Sequence, residues 1–136
     1  MEKINNTFKD ISNKLFDINA DIIELGDLIL YLINLIQEEF KRDPRLLNRV
    51  IKLINEDFAF VKYPIIVNDN GDIYFFIDNK KYLINSAKNI DIKKTDAKRV
   101  GTLALDIHLN NTPNVFDLLN NFKDIVIKEK SKLETK

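Results

Sequence analysis

One histidine, three serines and no cysteine supply most of the ordinary catalytic vocabulary of this 136-residue chain. General acid–base and nucleophilic mechanisms need a poised group held against a partner. His108 has Asp106 two residues away, and that pair reads as an ordinary surface or boundary histidine rather than as a base or ligand. Without cysteine there are no thiolate nucleophiles, disulfides, Cys-ligated zinc sites or iron–sulfur clusters, and nothing points to an oxidising compartment. The three glycines are too scattered to form a phosphate loop. The run Asn68-Asp69-Asn70-Gly71-Asp72 has the composition of a calcium loop. Placing Gly71 sixth, however, puts Ile66 first and Ile77 twelfth, where carboxylates are required. It is read instead as a hairpin turn. No catalytic residue, cofactor or metal ligand is assigned, and the chain is read as a non-enzyme.

Two charged groupings remain. Asp17, Asp21 and Glu24 fall at helical spacing and would align three carboxylates on one face; such a row is usually just solvated. The adjoining Glu24-Leu25-Gly26-Asp27-Leu28 resembles the second metal-binding helix of the MazG-type nucleotide pyrophosphohydrolases, in which an E-x-x-D pair holds magnesium. The likeness is confined to this short stretch, and the E-E-x-x-E helix which that family carries upstream is absent. Metal-dependent nucleotide hydrolysis is therefore a third reading, without a claim of membership. The second grouping is basic. Arg42, Arg45, Arg49 and Lys52 form a helical stripe that holds three of the four arginines. With Lys80 and Lys81 on the hairpins that follow, it is a candidate contact for phosphate or for an acidic partner. Nucleic-acid binding is accordingly the second reading.

The elements that would position these groups begin with a heptad pattern. Ile4, Ile11, Ile18, Leu25 and Leu32 recur every seven residues, with Phe8, Leu15, Ile22, Ile29 and Ile36 four residues after each. The unbroken register predicts one helix over residues 3–41, with Gly26 and Asn19 its weakest points. Up to Asp21 little but the seam is apolar, whereas beyond Ile22 the helix is oily nearly all round and must be surrounded. At 1.5 Å per residue such a helix reaches about 60 Å, against a diameter of roughly 35–40 Å for a compact chain of this size. Residues 1–21 should therefore project and pair with another copy in a coiled coil. That assigns Ile4, Phe8, Ile11, Leu15, Ile18 and Ile22 to an oligomer interface.

Asp43 followed by Pro44 starts a second helix, since the carboxylate caps free amides and proline has none to lose. Strand character appears at Phe58–Tyr63, interrupted by Pro64. Ile65–Val67, Ile73–Ile77 and Tyr82–Ile84 then make a three-stranded meander, with Asn70-Gly71 suited to a two-residue turn. Residues 95–109 alternate like a strand but also carry a helical face, and are read as helix. Thr112-Pro113 opens a last helix to about residue 130, ahead of a frayed tail over 131–136.

The fold class expected is thus α+β: a long N-terminal helix with a heptad seam, a second helix, an antiparallel meander and one or two C-terminal helices in a single domain, 22–130 being its core. The charges sum to zero, with residues 1–40 at minus five and the remainder at plus five, which disfavours indiscriminate polyanion binding. The longest apolar run, Leu28–Ile36, is too short to span a bilayer, and no leader segment precedes the first helix. The first reading is a non-enzymatic protein–protein interaction module, homo-oligomeric or a subunit of a larger assembly. It is cytoplasmic, with no cofactor, membrane or small-molecule substrate evident.

Overall fold

A computed structural model describes residues 2–15, 21–55, 65–77, 80–89, 91–110 and 115–134. In chain order the elements are α1 (Glu2–Leu15), α2 (Ile22–Arg42), α3 (Pro44–Asn55), β1 (Ile65–Val67), β2 (Ile73–Ile77), β3 (Lys80–Asn85), α4 (Lys94–Asn110) and α5 (Val115–Glu134). The α+β class holds: N-terminal helices, a three-stranded antiparallel sheet and two C-terminal helices. The Phe58–Tyr63 strand expected from the sequence lies outside the described residues.

The single long helix is corrected to two. Asp21 is extended (φ −76°, ψ 130°) and its carboxylate accepts the Ile23 amide at 2.7 Å, which begins a new helix there. Helix α1 folds back along α2: its first residues, Glu2 to Ile4, share a cleft with Leu35, Glu38, Glu39 and Arg42 at the far end of α2. A heptad pattern records an apolar stripe, not chain continuity. Here two antiparallel helices turn their stripes into one core, so the register survives the break. Ile4, Phe8 and Ile11 are buried inside their own chain, so residues 2–15 lie against α2 instead of projecting from it. The side chains of Leu15 and Ile18 lie outside the described set, and Ile22 is 38% exposed.

Helix α2 is the hub, as its all-round apolarity requires. Nine of its residues are buried, with α1, α3, α4 and β3 packed around it. The α2–α4 crossing is close. A Cβ on Gly26 would lie 1.7 Å from the Ala97 carbonyl oxygen, and one on Gly101 would lie 2.0 Å from that of Ile22. Both glycines thus serve backbone-to-backbone contact. Asp43 caps α3 as expected, its carboxylate accepting the Arg45 amide at 3.1 Å behind Pro44. Helix α5 outruns its expected end and continues to Glu134, because Lys130 pairs with Glu39 at 2.5 Å, Lys132 pairs with Glu129 at 3.1 Å, and Leu133 packs on the core.

Pairing in the sheet runs β1-β2-β3, with Val67 opposite Ile73 and Tyr74 opposite Leu83. Ile65, Val67, Ile73, Phe75 and Ile84 face the core. The first turn has three residues rather than two. The Asn68 amide donates to the Asp72 carbonyl, the Gly71 amide donates to the Asn68 carbonyl, and Gly71 takes φ 88°. This is the geometry of a turn closed by a left-handed glycine bulge. Asn68 selects it, because its side-chain oxygen accepts the amides of Asn70 and Asp72. Buried Gln37 of α2 fastens the sheet, donating to the carbonyls of Gly71 and Asn85 at 2.9 and 3.0 Å and accepting from the Asn85 amide group.

Asp72 ties the two ends of the meander together. Burial works against its charge, but the Ala87 amide at 2.7 Å, with Asn68 and Ser86, outweighs it and holds the carboxyl below its ordinary range. A depressed folded-state pKa gives stability that is present above the unfolded value and lost as pH falls through the folded one. Asp72→Asn should therefore cost about 1–2 kcal/mol at neutral pH. In urea melts its gap from the wild type should narrow below about pH 4; a gap that stays constant through acid would refute this role.

Candidate functional site: a groove between the edge strand and a helix

Each arginine of the basic stripe singled out in the sequence has a carboxylate partner in the fold, two of these carboxylates also serving Lys130 and Lys132. Arg42 meets Glu39 at 3.0 Å, Arg45 grips Asp43 through two nitrogens at 2.8 and 2.9 Å, and Arg49 meets Glu129 at 3.3 Å. Burial opposes ionisation of Glu129, yet Lys132 and Arg49 together keep its carboxyl below the usual range. These pairs hold the α2–α3 corner and join α3 to α5. Lys52 lines a small cleft with Arg49, Leu53 and Glu129. Lys80 is exposed, and Lys81 stands over the Tyr74 ring, 4.5 Å from its centre. The stripe and the two lysines are not brought into one surface patch by any contact described.

The other sequence candidates are dispersed as well. Asp17 lies outside the described residues, Asp21 is committed to capping α2, and Glu24 and Asp27 sit exposed on α2. Among the described residues no three His, Cys, Asp or Glu side chains gather in a way that would hold a metal. His108 falls on α4, with its side chain outside the described set. No helix among the described residues is long and apolar enough to cross a membrane.

Among the described residues a surface feature that combines an apolar floor, charge and a strand edge lies elsewhere. Strand β3 is an edge: among the described residues it pairs with β2 alone. Beside it runs α4, and between them opens a groove of about 800 Å³ lined by Lys81, Tyr82, Leu83, Asp96, Arg99, Thr102, Leu103 and Asp106. Residues 96, 99, 103 and 106 recur at three- and four-residue spacing, so one face of α4 forms the wall. Leu83 is 40% exposed and Leu103 half-buried. The two supply a hydrophobic floor that a free monomer leaves partly wet.

Arg99 is the residue that the sequence reading missed. Its guanidinium donates from one terminal nitrogen to the Leu83 carbonyl at 2.5 Å and from the other to the Ile84 carbonyl at 3.3 Å. The edge strand thus fixes the group in place. The three stripe arginines each have a carboxylate partner; Arg99 is held by backbone carbonyls, and among the described residues no carboxylate pairs with it. The available signal was the polar face of α4, on which Arg99, Thr102 and Asp106 gather. Nothing in the spacing said that a strand edge would lie opposite. Comparisons with protein-family models, characterised proteins and solved structures return no match for this chain.

Proposed function

We propose that this chain is a non-catalytic protein-interaction module that receives an extended segment of a partner in the β3–α4 groove. One observation carries the reading: a strand that pairs with β2 alone among the described residues, and whose Leu83 and Ile84 carbonyls are held by Arg99, stands beside a helix, with exposed Leu83 and half-buried Leu103 between them. An extended segment added to a sheet edge gains main-chain hydrogen bonds, and adjacent apolar hollows select its side chains. An exposed edge otherwise invites indiscriminate pairing, which lysines discourage; Lys80 and Lys81 sit on this one. The reading keeps the interaction role drawn from the sequence and moves it from the N-terminal seam to the sheet. Burial of Ile4, Phe8 and Ile11 within the chain removes the reason for seating a second copy there. Phosphate binding by Arg42, Arg45 and Arg49 finds no comparable support, since each cation already faces a carboxylate.

Panning a random linear peptide library against the immobilised full chain tests the proposal. Selected peptides should bind at micromolar concentration and lose about tenfold or more in affinity on Leu103→Asp, the loss expected when an apolar anchor meets a charge. Peptides indifferent to Leu103→Asp, or no selection at all, would reject it.

A further inference from the structure

We infer that the groove selects an acidic extended segment and seats one of its carboxylates on Arg99; this rests on the interaction reading above. The first ground is charge. Between Lys80 and Asn110 the chain has seven basic residues against three acidic ones, a net of plus four in a molecule whose total is zero. The groove's own lining is balanced, Lys81 at the strand side and Arg99 at the helix side against Asp96 and Asp106 on α4; the surplus lies around it, with Lys80 and Lys98 exposed at neighbouring positions.

The second ground is what each charge is already doing. Asp96 accepts the Lys93 amide at 3.3 Å, at the start of α4, and Asp106 has a partner within the protein. Arg99 uses two of its N–H groups on the Leu83 and Ile84 carbonyls. A guanidinium has five such donors in a rigid fork, and carboxylate is the group that matches it. Two backbone bonds hold the fork against the strand, so less side-chain freedom is lost when a carboxylate arrives. The cation therefore stands beside the hydrophobic floor, and a segment alternating acidic and apolar residues satisfies both. A second copy of this chain fits poorly: its β3 strand carries Lys80 and Lys81 and no acidic residue, so pairing edge to edge would bring Arg99 no carboxylate.

The test uses fluorescence anisotropy with a labelled decapeptide alternating valine and glutamate, its valine–lysine counterpart, and an oligothymidylate of equal length. The glutamate peptide should bind, with amide shifts confined to β3 and α4, while the lysine peptide should not. Arg99→Gln should weaken binding about tenfold, the loss of one charge-assisted contact; Lys81→Gln, which leaves the Arg99 anchor in place, should weaken it two- to threefold. Melting curves of both variants establish that they fold. Should Arg99→Gln lower the melting point, Lys98→Glu and Lys81→Glu carry the test through charge alone. Equal binding of the two peptides, insensitivity to every charge variant, or stronger binding of the oligothymidylate would overturn the inference. Peptides from the panning that need Leu103 yet are neutral or basic would overturn this inference alone and leave the interaction module standing.

Discussion

Ile11→Asp unfolds this protein rather than freeing one copy from another. Ile11 is 0% exposed, held in the core that α1 forms with α2 and α5. Loss of a buried isoleucine costs about 2–5 kcal/mol, and a carboxylate put in its place must be desolvated or protonated besides. The sum approaches the whole stability of a domain, roughly 5–15 kcal/mol. The melting temperature should fall by about 15 °C or more, or folding should be lost at 25 °C. Ile22→Asp supplies the contrast from the same heptad seam. At 38% exposure and in the first turn of α2, it should cost at most about 1.5 kcal/mol, since part of the lost burial is offset by an acid near a helix N-terminus. Circular dichroism with sedimentation distinguishes the outcomes. A folded Ile11→Asp variant with an unchanged melt and a halved mass would restore the coiled-coil reading and sink the folded-back one.

That contrast also shows what the sequence disclosed. Apolar periodicity marked the N-terminal region as helical, though as one helix and not the two found, and the density of apolar residues beyond Ile22 marked α2 as the element to be surrounded. The Asp43-Pro44 restart was legible because capping chemistry is local. The meander and the helical reading of residues 95–109 stood on the same footing. The break at Asp21 was not legible: Ile4 and Leu25 point into one core whether the two helices are continuous or folded back, so the seven-residue register carries no information about continuity. The hairpin loop was misjudged by one residue because the Asn68 side chain, not the Asn70-Gly71 pair, sets the closure.

Charge misled for a related reason. Arg42, Arg45 and Arg49 are conspicuous as a helical stripe, and only part of their pairing is local. Glu39 lies one turn back on α2 and Asp43 is the cap, but Glu129 comes from α5, eighty residues away. Arg99 is inconspicuous in the sequence and is the one arginine whose described partners are carbonyls alone. A site defined by what a cation lacks can be read only once every neighbour is placed.

Gly26→Ala is expected to be among the most damaging single-methyl changes available, against the local rule that alanine improves a helix by up to about 1 kcal/mol over glycine. The added carbon would sit 1.7 Å from the Ala97 carbonyl oxygen, and the obstacle is backbone, which cannot rotate aside. Helices α2 and α4 would have to separate by more than an ångström along the contact that carries much of the core, loosening Ala97, Val100 and Ala104 where they are buried. Overpacking of this kind costs about 1–3 kcal/mol and sometimes more; with no flexible side chain to yield, a net loss of about 3 kcal/mol or more is expected after the propensity gain. Gly101→Ala meets the Ile22 carbonyl oxygen at 2.0 Å and should behave alike. The two sites share one crossing, so the first substitution already opens the gap that the second requires. The double variant should therefore lose clearly less than the sum of the singles, a coupling measurable by urea melts in a double-mutant cycle. Strict additivity would mean that the glycines act separately and that the close α2–α4 approach is not what they provide.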